Sequence, residues 1–199
     1  VDMRDPVDPA TVEAMRRAWH EHHVMVLRDQ EAGPEDILRF ARGFGDLDDH
    51  AQTPFYRKDG YPELLEITTK PKNGKPSETR NVGRNWHSDY AYTPRPAAAS
   101  MLYCLEKPPI GGDTMFCNMV RAYETLSETM RGIVDGLRGV HRFEPPRGAS
   151  NDVAYDESVR KRAMETEHPI VRVHPETGER QLYVSPSFLK SIAGFTPRE

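Results

Sequence analysis

Two cysteines in 199 residues, Cys104 and Cys117, are too few for a disulfide framework, and their apolar neighbours predict two buried thiols in a reducing compartment. Long hydrophobic runs are missing as well. No stretch approaches the roughly 20 apolar residues that a membrane span requires. The opening residues Val1 to Asp8 have neither the basic start nor the apolar stretch of a secretion signal. The sequence therefore predicts a cytoplasmic protein that does not engage a membrane. A basic block is also lacking: 27 Lys and Arg are intermixed with 31 Asp and Glu, for a net charge of -4. No surface built to neutralise nucleic-acid phosphates is expected, and a small anionic substrate would need only a local basic pocket. There is no internal repeat. With 37% hydrophobic and 29% charged residues, the chain is ordinary for one globular domain, expected to extend over residues 1–199.

The local signals are clearest in the first third. Asp8-Pro9 is a helix start, and Val12, Met15 and Trp19 follow on one face at helical spacing. His20, His22 and His23 then fall at the helix end, where cationic side chains meet the dipole favourably. The apolar run Val24 to Leu27 predicts a buried strand. Pro34 opens a second amphipathic helix with Ile37, Leu38, Ala41 and Phe44 inward, closed at Gly45. A strand is expected over 64–68, and a long polar loop over 70–84, which has no periodicity.

From Trp86 onward the pattern becomes short strands between turns: 87–92, 97–105 and 114–118, with Pro108-Pro109-Ile110-Gly111-Gly112 as a turn. A helical segment spans 122–137, and a charged excursion 144–167. Residues 170–173 and 181–184 flank His174 to Gly178 as a hairpin with its glycine in the turn. This predicts a mainly β domain with peripheral helices, a distorted sandwich or jelly roll. The chain opens without Met and stops at Thr196-Pro197-Arg198-Glu199, which reads as a helix start, so part of the domain is expected beyond both ends.

Chemistry concentrates at Trp86-His87-Ser88-Asp89. On a strand, residues i and i+2 share a face, so His87 and Asp89 could offer an imidazole nitrogen and a carboxylate oxygen to one metal ion. Two such ligands call for a third, as in the 2-His-1-carboxylate triad of non-haem Fe(II) oxygenases, whose opposite face is open. About 25 residues later, Gly111-Gly112-Asp113-Thr114 gives a turn with free backbone approach and a hydroxyl able to bond a carboxylate. Tyr90 follows the acidic ligand directly and is a candidate to face the substrate.

The string NWHSDYAYTPRPAAASMLYCLEKPPIGGDTMFCNMVRAYETLS resembles the core of the TauD/TfdA family of Fe(II)- and 2-oxoglutarate-dependent dioxygenases. The resemblance extends outwards to HHVMVLRDQ and FARGFGDLDDH on one side and HPIVRVHPETGERQLYVSPSF on the other, so nearly all of the chain is covered. It implies a double-stranded β-helix, a cupin-like jelly roll. It also implies Fe(II), 2-oxoglutarate as cosubstrate, O2, and ascorbate as an activator. His87 and Asp89 would bind iron, and Thr114 would bond a carboxylate of 2-oxoglutarate. The family's second histidine ligand and its cosubstrate-clamping arginine lie well beyond the late hairpin, so the third ligand is expected beyond residue 199. His141, His168 and His174 are the alternatives within the chain. A homo-oligomer is compatible with the resemblance.

The reaction implied is hydroxylation of a small, anionic organic substrate, a sulfonate, sulfate ester, aryloxyalkanoate or carboxylate, with release of succinate and CO2. His50 matches the histidine that holds the sulfonate in the taurine branch, but Thr53 and Gly83 stand where that branch has tyrosine and asparagine. Two other readings remain: a catalytically incomplete homologue that binds a metabolite or partner without turnover, and a cupin-like Zn or Mn protein with non-oxidative chemistry.

Overall fold

The structure is a computed structural model that describes residues 1–51, 53–71, 74, 77, 82–143, 165–196 and 198. Much of the expected 70–84 loop, nearly all of the 144–167 excursion and Pro197 of the terminal helix start lie outside these residues. Contacts group the chain into two compact units, Val1–Arg80 with Met101–Glu106, and Asn81–Ser100 with Lys107–Glu199.

In the first unit, α1 runs Pro9–His22 and starts as the sequence predicts: Asp8 accepts the Thr11 N–H at 3.0 Å, and Pro9 occupies the first turn, where its missing N–H costs nothing. His23 ends the helix in the left-handed conformation (φ 64°), its N–H donating to the Trp19 carbonyl. Helix α2, Pro34–Arg42, begins where the Gly33 N–H donates to Asp36. It stops at Gly43 in a right-handed conformation, two residues before the expected Gly45. Met3, Met15 and Phe40 form the core here, with Ile37, Phe44, Leu27 and Tyr103 packed against it. Phe40 is a core residue the helical pattern did not single out. A two-stranded antiparallel sheet, β1 (Arg57–Lys58) with β2 (Tyr61–Leu65), completes the unit. The strand expected over 64–68 is thus displaced towards the N-terminus.

The run Val24 to Leu27 is not a strand. It forms no ladder, and Val24, Met25 and Val26 are exposed. It is bounded by left-handed residues His23 and Asp29 (φ 56°), which break the extended backbone at both ends. Apolar composition predicts burial; a strand needs a hydrogen-bonded neighbour, and none of the described strands provides one here. The same holds for 97–105 and 114–118, whose apolar residues Met101, Leu102, Leu105, Met115 and Phe116 are exposed. Cys104 and Cys117 share that exposure, so the expected buried thiols are surface thiols.

The second unit holds most of the ladder structure. Its helical segment is two short helices, α3 (Met119–Glu124) and α4 (Glu128–Val134), because Asn118 and Ser127 each cap a new start by accepting a backbone N–H. Three antiparallel strands follow in the order β4-β3-β7: β3 is Arg138–Arg142, β4 Glu165–Pro169 and β7 Leu189–Ile192. In their register His141 lies opposite Thr166 on one side and Leu189 on the other. The late hairpin is present as β5 (Val171–Val173) and β6 (Arg180–Leu182), with Gly178 at φ 75° donating to the His174 carbonyl. Gly139 sits in the middle of β3, where a Cβ would lie 2.6 Å from Leu189 Cδ1. The β-content expected of a jelly roll therefore appears among the described residues as small antiparallel sheets. No helix is long and apolar enough to cross a membrane among them.

Candidate active site

Residues 87–92 form no strand, contrary to expectation, and 89–92 are a turn. Tyr90 adopts φ 56°, a left-handed conformation that no ladder accommodates, and the Thr93 N–H donates to the Tyr90 carbonyl at 2.9 Å. The strand argument for a shared face therefore fails, yet the two side chains meet by another route. His87 Nε2 lies 3.3 Å from Asp89 Oδ1.

The remaining atoms of the pair are also engaged. His87 Nδ1 is 2.7 Å from the Asn85 carbonyl oxygen. A carbonyl can only accept, so Nδ1 carries the proton and Nε2 is the nitrogen directed at Asp89. Asp89 Oδ2 accepts the Ser100 hydroxyl. The carboxylate beside it raises the His87 pKa above the ordinary 6.5, against a smaller opposing effect of burial.

Two metal bonds of about 2.1 Å at a right angle place their donor atoms about 3.0 Å apart, close to the separation found here. A borderline nitrogen and a hard oxygen, one fixed as its tautomer and the other held through its second oxygen, make a donor pair suited to a divalent first-row metal. Among the described residues no third His, Cys, Asp or Glu joins them. His141 and His168 instead lie side by side, rings 5.7 Å apart, each directed at a backbone carbonyl, Gly139 and Thr93 respectively. His174 Nδ1 accepts the N–H groups of Glu176 and Thr177 in the hairpin turn.

The other predicted residues are distributed as follows. Tyr90 is half-buried, with its ring 5.8 Å from that of Tyr92, which is buried against Phe188. Thr114 is exposed, two residues after Gly112, whose φ of 80° is the left-handed region that favours glycine. Gly83, also left-handed at φ 77°, has open space for a Cβ up to 4.0 Å from His87 Cε1. His50 belongs to the first unit. It sits at φ 52°, donates from Nε2 to the Glu63 carbonyl at 3.1 Å, and has Nδ1 3.6 Å from Asp48 Oδ1. Thr53 is buried one turn beyond it, its N–H donating to the His50 carbonyl.

Sequence reasoning missed Asn85 and Ser100, which hold the pair, and Ser185 and Ser187, which hold its backbone. Ser88 N–H donates to Ser185 Oγ at 3.1 Å, and the Ser187 hydroxyl donates to the Trp86 carbonyl at 3.2 Å. No periodicity marks residues that act through single hydrogen bonds across 97 and 101 positions.

Known proteins resemble this chain along its whole length. It is 32% identical over 195 residues to the alpha-ketoglutarate-dependent 2,4-dichlorophenoxyacetate dioxygenase of Cupriavidus pinatubonensis, covering 92% of this chain and 67% of that protein. It is 33% identical over 204 residues to the alpha-ketoglutarate-dependent sulfate ester dioxygenase of Pseudomonas putida, covering 98% of this chain and 64% of that protein. The crystal structure of a taurine dioxygenase from Burkholderia xenovorans superposes with a TM-score of 0.78 at 41% identity, over 100% of this chain and 62% of that one. The chain thus spans about two thirds of the length of these relatives. The family model for taurine catabolism dioxygenase TauD, TfdA matches residues 1–199, and the chain belongs to that family.

Proposed function

We propose that the chain carries the His-x-Asp part of the active site of an Fe(II)- and 2-oxoglutarate-dependent dioxygenase, which hydroxylates a small organic anion and releases succinate and CO2. The observation that carries the reading is the convergence of His87 Nε2 and Asp89 Oδ1 at 3.3 Å, with Nδ1 taken by the Asn85 carbonyl. Family membership supports it. The third ligand, a histidine, is expected outside residues 1–199, in a completed double-stranded β-helix.

Iron with 2-oxoglutarate and O2 would supply the oxidising chemistry when bound, with ascorbate keeping the metal reduced. The chain's residues do the rest. His87 offers the Nε2 lone pair because Nδ1–H is committed to Asn85, and binding requires loss of any proton between Nε2 and Asp89. Asp89 offers one oxygen because Ser100 occupies the other. Thr114 would donate its hydroxyl to a carboxylate of 2-oxoglutarate, and Tyr90 would present its ring beside the ligands to the substrate. His50 would pair with the substrate's anionic group. The substrate class rests on the named relatives, which act on 2,4-dichlorophenoxyacetate and on sulfate esters. With glycine and threonine at 83 and 53, sulfate esters and aryloxyalkanoates fit better than taurine.

The test is succinate formation by the full-length protein with Fe(II), ascorbate, 2-oxoglutarate and O2, over sulfonates, sulfate esters and aryloxyalkanoates. Substrate-stimulated succinate that disappears in His87→Ala is the expected result. Iron binding without turnover on any of them would overturn the reading in favour of a homologue that binds ligands only.

A further inference from the structure

The peptide between the two candidate ligands is held from far away in the chain. Ser88 N–H donates to Ser185 Oγ at 3.1 Å, across 97 positions, and Ser185 is only 1% exposed. We propose that Ser185 is a positioning residue for His87 and Asp89, through which the β4-β3-β7 sheet sets the separation of the two ligand atoms. The inference rests on the metal-binding reading above.

Residues 86–93 form no ladder, so their backbone groups need other partners; a buried polar group left unpaired costs about 1–3 kcal/mol. Side chains from one region provide them. Besides Ser185, the Ser187 hydroxyl donates to the Trp86 carbonyl at 3.2 Å. The Thr166 hydroxyl donates to the Tyr92 carbonyl at 3.0 Å, and His168 Nε2 to the Thr93 carbonyl at 3.0 Å. Phe188 sets its ring edge-on to both His87 and Tyr92. Thr166 and His168 are on β4, while Ser185 to Phe188 lead directly into β7.

Ser185 differs from the others in two respects. It holds the N–H of the residue that lies between both ligands, in the peptide that joins His87 to Ser88. It is itself locked, because its carbonyl accepts the N–H groups of Phe188 at 2.8 Å and Leu189 at 2.7 Å, at the entry to β7. A path of hydrogen bonds therefore runs from the sheet through Ser185 to Ser88, and from there along one peptide each way to His87 and Asp89. Metal sites tolerate errors of about 0.2 Å in ligand distance. Loss of supporting residues in such sites typically lowers metal affinity by about 10–100-fold.

The test is Co(II) binding by the full-length protein without 2-oxoglutarate, read as the visible absorption of the bound ion, beside thermal unfolding. Ser185→Ala is expected to bind Co(II) about 10-fold more weakly with an altered absorption envelope. Ser185→Thr, which keeps the hydroxyl, should bind as the parent does. Val140→Ala, a change within β3, should lower the unfolding temperature while leaving Co(II) affinity in place, which separates positioning from general loosening. Should Ser185→Ala not yield folded protein, Ser185→Cys, close to serine in size but with a weakly accepting sulfur, takes its place and is expected to weaken binding in the same sense. Parent-like affinity and absorption in folded Ser185→Ala, or in Ser185→Cys where that variant stands in, would overturn the inference alone. A parent protein that binds no Co(II) would instead overturn the metal reading, and this inference with it.

Discussion

Ser100 reaches back eleven residues to donate its hydroxyl to the second carboxylate oxygen of Asp89, leaving the first turned to His87. Ser100 is exposed and joins no ladder, so its contribution lies in the orientation of that carboxylate and hardly in the fold. Ser100→Ala is expected to lower divalent-metal affinity by about 10-fold, with thermal unfolding shifted little. A metal titration and a melting curve on the same preparation check both halves.

His87→Ala and Asp89→Ala each remove one of the two atoms proposed to bind the metal. Their effect on substrate-stimulated succinate formation should exceed the roughly 100-fold at which losses of merely supporting residues end. Unchanged circular dichroism would show that the fold survives, since the pair sits in a turn outside any sheet.

Gly139→Ala tests the packing of β3. The added Cβ would lie 2.6 Å from Leu189 Cδ1 and 2.9 Å from Ile170 Cδ1, so both neighbours must shift. Such overpacking is expected to cost about 1–3 kcal/mol in denaturant unfolding. A neutral result would mean that the sheet yields more readily than its register suggests.

Stability should fall on mild acidification. Burial is the main cause that holds the pKa values of His141 and His168 below the ordinary 6.5; carbonyl bonds to Gly139 and Thr93 oppose it, and for His168 the charges of Arg172 and Arg138 add to it. Unfolding restores the ordinary value, so below it the unfolded chain takes up more protons than the folded one. This part of the stability is complete above about pH 6.5 and is lost as pH falls through the lowered folded values. Unfolding free energy measured from pH 8 to pH 5 should bend downward in that window, and His141→Phe should flatten the bend.

What was legible in the sequence was local. Asp8-Pro9 and Pro34 mark helix starts because a cap and a first turn are made by residues that follow one another. The hairpin around Gly178 is read for the same reason. That His87 and Asp89 come together was expected, but the geometry by which they do was not legible: nothing in Trp86 to Asp89 announces that Tyr90 takes a positive φ and turns the expected strand into a turn. Strands β3, β4 and β7 were missed because Arg138–Arg142 and Glu165–Pro169 are polar and become strands only through pairing with each other. Conversely, the apolar residues around Cys104 and Cys117 promised burial, and in the structure Leu105, Met115 and Phe116 are as exposed as the thiols.

Because the turn from Trp86 to Thr93 is moored by its peptide groups, the bonds that fix it are indifferent to the side chains at 86 and 88. Backbone amides and carbonyls are the same whatever residue bears them. His87 and Asp89 can thus stay in place while the residues beside them are exchanged, so the surroundings of the pair can be rewritten without redesigning what holds it.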